Sequence, residues 1–267
     1  MPYVPHTEKE QQAMLSAVGV SDIEDLFAAI PEDLAPAGFD LPPGMSEMEV
    51  RRTIEALAEQ NTQGLVSFLG AGFYDHFIPA AVDALSGRGE FYTAYTPYQP
   101  EASQGILQAF FEYQTAVCRL MEMDYANASL YDGGTALYEA IMMAVRSTNR
   151  KKVVVSEAVN PIYRRMLECY TSNLHLSLVT VPHLQGTTDT DSLEASLDDS
   201  TAAVVVQNPN FFGCCNDFTQ LFERARKVGA LSVVSVYPLL QTVLKTPGAM
   251  GADIAVGEGQ SLDRKST

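Results

Sequence analysis

The chain has 267 residues, 46% hydrophobic and 19% charged, which excludes a disordered or collagen-like polymer and suffices for one large domain or two small ones. Seventeen basic residues against 33 acidic ones leave a net charge of −16, a field that repels nucleic acid and anionic lipid. No uninterrupted apolar run reaches the roughly 18 residues of a membrane span, and Met1 to His6 lacks the basic and apolar segments of a secretory signal.

The first part of the chain reads as helices. Ser21 followed by Glu24 fits a capping box, with Ile23, Leu26, Phe27 and Ile30 on one face before Pro31. Ser46 and Glu49 repeat the device, with Val50, Ile54, Leu57 and Ala58 as the expected buried stripe. Pro36, Gly38, Pro42, Pro43 and Gly44 form a linker between them, so residues 1–65 are expected to be a helical arm that packs on something else. A long helix is expected from Glu101 to Met121, its stripe Ile106, Phe110, Tyr113, Val117 and Leu120 lying on a sheet.

After that the pattern alternates short apolar strands with helices. Strands are expected at Ala128 to Tyr131, Val153 to Ser156, Leu176 to Val181, Ala202 to Gln207, Leu231 to Val236 and Asp253 to Val256. Helices are expected at Ala136 to Arg146, Ile162 to Tyr170 and Phe218 to Val228. This alternation predicts an α/β domain over residues 66–267: a mostly parallel sheet flanked by helices, with ligands beyond the carboxyl ends of the strands. Asp253 to Val256 has no returning helix before Thr267, so the chain is expected to be truncated or completed by a partner.

Several segments could carry chemistry. Phe91 to Glu101 is the densest aromatic and polar cluster, and its two prolines keep it out of a regular helix. It reads either as a tyrosine-rich loop against a neighbouring subunit or as a wall of hydrogen-bonding groups around a polar small molecule. Leu69-Gly70-Ala71-Gly72-Phe73 is only loosely a glycine-rich phosphate turn, since it lacks the third glycine, and His76 downstream has no partner nearby in sequence. Tyr131-Asp132-Gly133-Gly134-Thr135 runs from an expected strand into a helix, whose first turn either offers N–H groups to an anion or is capped by Asp132. In Asn208-Pro209-Asn210 the two amides either orient a polar ligand or close the turn. Four cysteines, Cys118, Cys169 and the adjacent Cys214-Cys215, give neither a metal-ligand spacing nor a dense disulfide framework, so no metal is expected and a reducing cytosol is favoured.

These motifs stand in one order: Ser67 to His76, Phe91 to Glu101, Ser103-Gln104-Gly105 with Phe111 to Thr115, Asn127 to Gly133, Gln207 to Gly213, and Gly251 to Ile254 with Gly257 to Leu262. The series resembles the glycine dehydrogenase (decarboxylating) family, the P-protein of the glycine cleavage system, in the form of subunit 1, the alpha chain of the two-chain bacterial enzyme. The resemblance runs from the N-terminus to Leu262. It implies a fold type I, aspartate-aminotransferase-like large domain of the pyridoxal phosphate (PLP)-dependent transferases, without the C-terminal small domain.

The resemblance also implies an activity shared with a homologous beta subunit. Glycine is decarboxylated, and the aminomethyl group passes to the lipoyl group of the H-protein. The PLP sits on a lysine of the beta chain, and in this sequence Gln260, which has no amine nucleophile, stands at the matching position. The strand end Val234-Ser235-Val236-Tyr237 offers no carboxylate for a pyridine nitrogen, and Lys245 reads as surface. The alpha chain would then hold no cofactor and no catalytic residue of its own, supplying one wall of a shared site: Tyr92, Tyr95, Tyr98 and Gln99 as hydrogen-bonding groups, Glu101 and Gln104 as supports, and His76 as a contact. The alternative is an inert or regulatory fragment that binds the beta subunit without completing the site.

Overall fold

A computed structural model describes residues 6–34, 38, 40–62, 64–66, 68, 74, 76–92 and 96–262, which divide into two units, Met1–Val66 and Ser67–Thr267. In the first unit, α1 (Glu8–Val18) opens on a capping box in which Thr7 and Glu10 satisfy each other's backbone N–H groups, and it ends on Gly19 in the left-handed conformation. The expected box at Ser21 and Glu24 does not form. Asp25 instead accepts from both the backbone N–H and the hydroxyl of Ser21 (each 3.1 Å), which tightens the segment into a 3₁₀ turn over Glu24–Phe27. The box at Ser46 and Glu49 does start α2 (Glu47–Ala58). Its stripe is not buried, however: Val50, Ile54 and Leu57 stand 44–59% exposed. The apolar face is present in sequence and stands open among the described residues of this unit.

The second unit is built on a sheet ordered β2-β1-β3-β4-β5, every pair parallel. The strands are β1 (Lys152–Ser156), β2 (Ser177–Val181), β3 (Thr201–Asn208), β4 (Leu231–Val236) and β5 (Ile254–Gly257). Because side chains alternate across a pleat, Val153 and Val155 face one layer and Val154 the other. The first layer is α6 (Gly133–Thr148) and α7 (Pro161–Thr171), which bury Leu137, Ile141, Ala144 and Leu167 against Val205 and Val233. The opposite layer is α8 (Thr190–Ala195), α9 (Thr219–Lys227) and the end of α5 (Gln104–Met121), with Leu193, Phe218, Phe222 and Met121 against Val154, Val204 and Val234. Fully buried side chains such as Leu137 and Ile141 are each worth ~1.5–3 kcal/mol of apolar transfer.

Two expectations need correction. Ala128 to Tyr131 forms no strand, since no described strand lies beside it to share a ladder, and Tyr131 is left 94% exposed. The long helix begins at Gln104 rather than Glu101, and only its second half packs on the sheet layer: Val117 and Leu120 touch the core while Phe110 and Tyr113 remain 40% and 43% exposed. The short helices α3 (Ala80–Ser86) and α4 (Gly89–Tyr92) precede α5, and α10 (Pro247–Met250) leads into β5. Among the described residues, no helix is long and apolar enough to cross a membrane.

Candidate functional site

In a parallel sheet every carboxyl end lies on one edge, and the loops leaving that edge form the natural site. After β1, the Glu157 carboxylate accepts the backbone N–H of His183, which follows β2 (3.1 Å). The His183 ring accepts at Nδ1 from Gly186 N–H (3.1 Å) and meets Phe212 edge-on at 4.7 Å. After β3, the two amides close the turn rather than face a ligand. The Oδ1 of buried Asn210 accepts from Phe212 and Cys214 N–H (2.9 and 3.0 Å) and its Nδ2 donates to Gly186 (2.8 Å), while Asn208 exchanges two bonds with the Asn216 backbone (3.0 and 3.1 Å).

The start of α6 settles the choice left open by its sequence. Asp132 caps it, accepting from Thr135 N–H at 2.7 Å. A second carboxylate arrives from beyond β5: Glu258 Oε2 accepts from Gly133 N–H at 2.8 Å. α7 packs closely over this turn: a Cβ on Gly133 would lie 2.4 Å from Tyr163 Oη and one on Gly134 2.4 Å from Met166 Sδ, so either methyl would force those side chains to shift. Burial, reinforced by the charges of Glu258 and Asp132, pushes the Tyr163 phenol up to about 12. The Glu258 contact links positions 125 apart, and no local signal in the sequence announces it.

His76 lies at the end of β4. Its Nδ1–H donates to the Tyr74 carbonyl (3.1 Å), the Tyr74 ring stands edge-on to Tyr237 at 4.8 Å, and the Tyr237 hydroxyl donates to the same carbonyl at 3.5 Å. Burial, and to a smaller degree Tyr74, raises the Tyr237 phenol. Tyr92 closes α4, and Tyr95 lies outside the described residues, as does the glycine-rich stretch 69–73. Tyr98 is 82% exposed. Gln99 is also exposed, and its carbonyl holds the following turn by accepting from Ala102 and Ser103 N–H (3.1 and 3.0 Å). Glu101 and Gln104 are brought together on one open groove that runs along α5 past Leu107, Phe111 and Arg119. Gln260 sits exposed in the 3₁₀ turn Gly259–Leu262.

Among the described residues, groups suited to hold PLP are not gathered at this edge. Lys151 and Lys152 enter β1 at its amino end, where Lys152 pairs with Asp198 (2.5 Å), and Lys227 ends α9 just before β4. Lys245 is bound to Asp217 (3.0 Å) and Thr219 (2.6 Å). Hydrogen bonds from Thr219 and then Lys245 hold the Asp217 carboxyl down at about 2. At the start of α6, where a phosphate could seek N–H donors, two carboxylates already stand. The group does not fit these residues.

Comparison with known proteins agrees with this architecture. The chain is 66% identical over 262 residues to "Probable glycine dehydrogenase (decarboxylating) subunit 1" of Nitratidesulfovibrio vulgaris (strain Hildenborough), covering 98% of itself and 59% of that protein. A crystal structure of glycine decarboxylase (P-protein) of the glycine cleavage system, in inhibitor-bound form, matches at 48% identity with a TM-score of 0.84, over 98% of this chain and 59% of that one. An aromatic amino acid aminotransferase, at 14% identity and a TM-score of 0.50 over 83% of this chain and 61% of that one, shares the fold alone. The chain thus has the expected transferase-like α/β fold and spans about three-fifths of the length of the relative it matches. The family model described as "Glycine cleavage system P-protein" matches residues 1–263, and the chain belongs to that family.

Proposed function

We propose that this chain is the alpha subunit of a two-chain glycine dehydrogenase (decarboxylating) and works with a beta subunit that carries the PLP. The observation that carries the reading is the 66% identity over 262 residues to a protein named as subunit 1. A subunit so named implies another, and among the described residues Lys245 is already engaged by Asp217. When bound on the partner, the cofactor would supply the electron sink for loss of the glycine carboxylate, and the lipoyl group of the H-protein would accept the aminomethyl group.

The residues of this chain would bind and orient. Tyr92, Tyr95, Tyr98 and Gln99 would present hydrogen-bonding groups to glycine or the lipoyl arm, Glu101 and Gln104 would support them, and His76 would touch the same space. The 82% exposure of Tyr98 and the shared groove of Glu101 and Gln104 support a wall that a second subunit would complete. All four cysteines are free, in keeping with a cytoplasmic assembly, for which we propose two alpha and two beta chains.

The test is co-expression with the PLP-bearing subunit, followed by glycine-dependent exchange of labelled CO₂ in the presence of lipoylated H-protein. Exchange that requires both chains is expected. Stable binding without exchange would instead identify an inert or regulatory fragment, and glycine turnover by this chain alone would refute the proposal.

A further inference from the structure

We propose that Glu258 is a built-in anion: its carboxylate fills the acceptor position at the start of α6 and so bars phosphate-bearing ligands from the glycine turn. The inference deepens the reading that the cofactor is held by the partner, because it gives a positive cause for this chain's not holding it.

A helix start directs several unpaired backbone N–H groups outward, and on the ligand-facing edge of an α/β sheet these attract phosphate. In α6, Gly133 N–H donates to Glu258 Oε2 (2.8 Å), Thr135 N–H donates to Asp132 Oδ1 (2.7 Å), and Ala136 N–H returns to the Asp132 carbonyl (2.8 Å). A phosphate would have to displace one carboxylate and lie beside the other, two like charges at one short helix end. α7 crowds the turn as well, since the Tyr163 hydroxyl and Met166 sulfur lie 2.4 Å from the positions that Cβ atoms of Gly133 and Gly134 would take. Asp132 is local to the turn, as any N-cap is. Glu258 comes from the loop after β5, so it seats an acid on the turn only once the sheet is assembled.

The test uses the ¹⁵N-labelled 267-residue chain and follows the Gly133 amide resonance during titration with inorganic phosphate. In the wild type, no saturable movement is expected. Glu258→Ala should show saturable movement of this amide, with a midpoint at least about tenfold below the highest phosphate concentration at which the wild type shows none, the scale of one charge-assisted hydrogen bond. Glu258→Gln keeps an acceptor oxygen for Gly133 and removes the charge, so it should show a smaller gain and guards against a misfolded alanine variant. Saturable binding at Gly133 in the wild type, or no gain in a folded Glu258→Ala or, should that variant unfold, in Glu258→Gln, would overturn the proposal. A parallel absorbance titration of the wild type with pyridoxal phosphate separates the two readings. A Schiff-base band would refute the proposed function, while the phosphate titration would still decide the role of Glu258.

Discussion

Gly248→Ala should be among the most damaging single methyl additions in the second unit. A Cβ built at Gly248 would lie 1.7 Å from the carbonyl oxygen of Glu122 and 2.5 Å from its carbon, and these are backbone atoms that no rotamer change can withdraw. Either α10 or the turn at Glu122, itself left-handed at φ 53°, has to move by more than an ångström. Both are anchored. Thr246 caps Ala249 N–H (3.2 Å) and donates to the Glu122 carboxylate (2.8 Å), while Met250, 2% exposed, has its sulfur 3.4 Å from Phe218 N. Overpacking together with partial loss of the Met250 contacts should cost about 3 kcal/mol. For a protein of this size that lowers the melting midpoint by about 6–12 °C. The control is Gly105→Ala in α5, where nothing lies within 4 Å of the new Cβ. Helix propensity there favours alanine by ~0.5–1 kcal/mol. Thermal and urea unfolding of both variants, followed by far-UV circular dichroism, checks the pair. A Gly248→Ala melt equal to wild type, or equal losses in the two variants, would refute the steric argument.

Asp132→Ala should lose about 1 kcal/mol in urea unfolding through its missing N-cap bond, and Asp132→Asn should lose little, because an amide oxygen caps as well. Arg150→Ala should cost about 2–3 kcal/mol by stripping donors from the Thr201 and Val228 carbonyls (2.9 and 2.8 Å), with Arg150→Lys recovering part of it in the same assay. The Tyr163 phenol is raised in the fold from 10.0 to about 12, so its contribution is intact below pH 10 and is lost as pH rises through about 12. Urea unfolding against pH should show a steeper alkaline loss for wild type than for Tyr163→Phe, and parallel curves would contradict this.

The strands of the sheet are legible as short, largely β-branched runs bounded by turns: Val153, Val154 and Val155 read as a strand, and the structure buries them on both faces. Ala128 to Tyr131 is mostly apolar but carries no β-branched residue, and it is not a strand, since a ladder partner is a property of the assembly and not of four residues. α1 gives little periodic signal although Thr7 and Glu10 carry the capping-box spacing, because the helix Glu8–Val18 is mostly polar, and in the structure only Leu15 of it is buried. In the site, Asp132 as a cap follows from local chemistry. Glu258 on Gly133 does not, because a contact across 125 positions depends on how β5 is placed in the sheet. The tyrosine block announced itself by composition alone, and its exposed members await the second surface proposed for them.

The bond between Gly133 and Glu258 also has a consequence for the order of synthesis. α6 leaves the ribosome long before the loop that supplies its second acid, and the helix meets that partner only after β1, β3, β4 and β5 have aligned. Such late, distant closure is the kind that slows parallel sheets and lengthens the interval in which nascent chains stick to one another. A nascent chain halted before position 258 would carry a helix start with one acid instead of two.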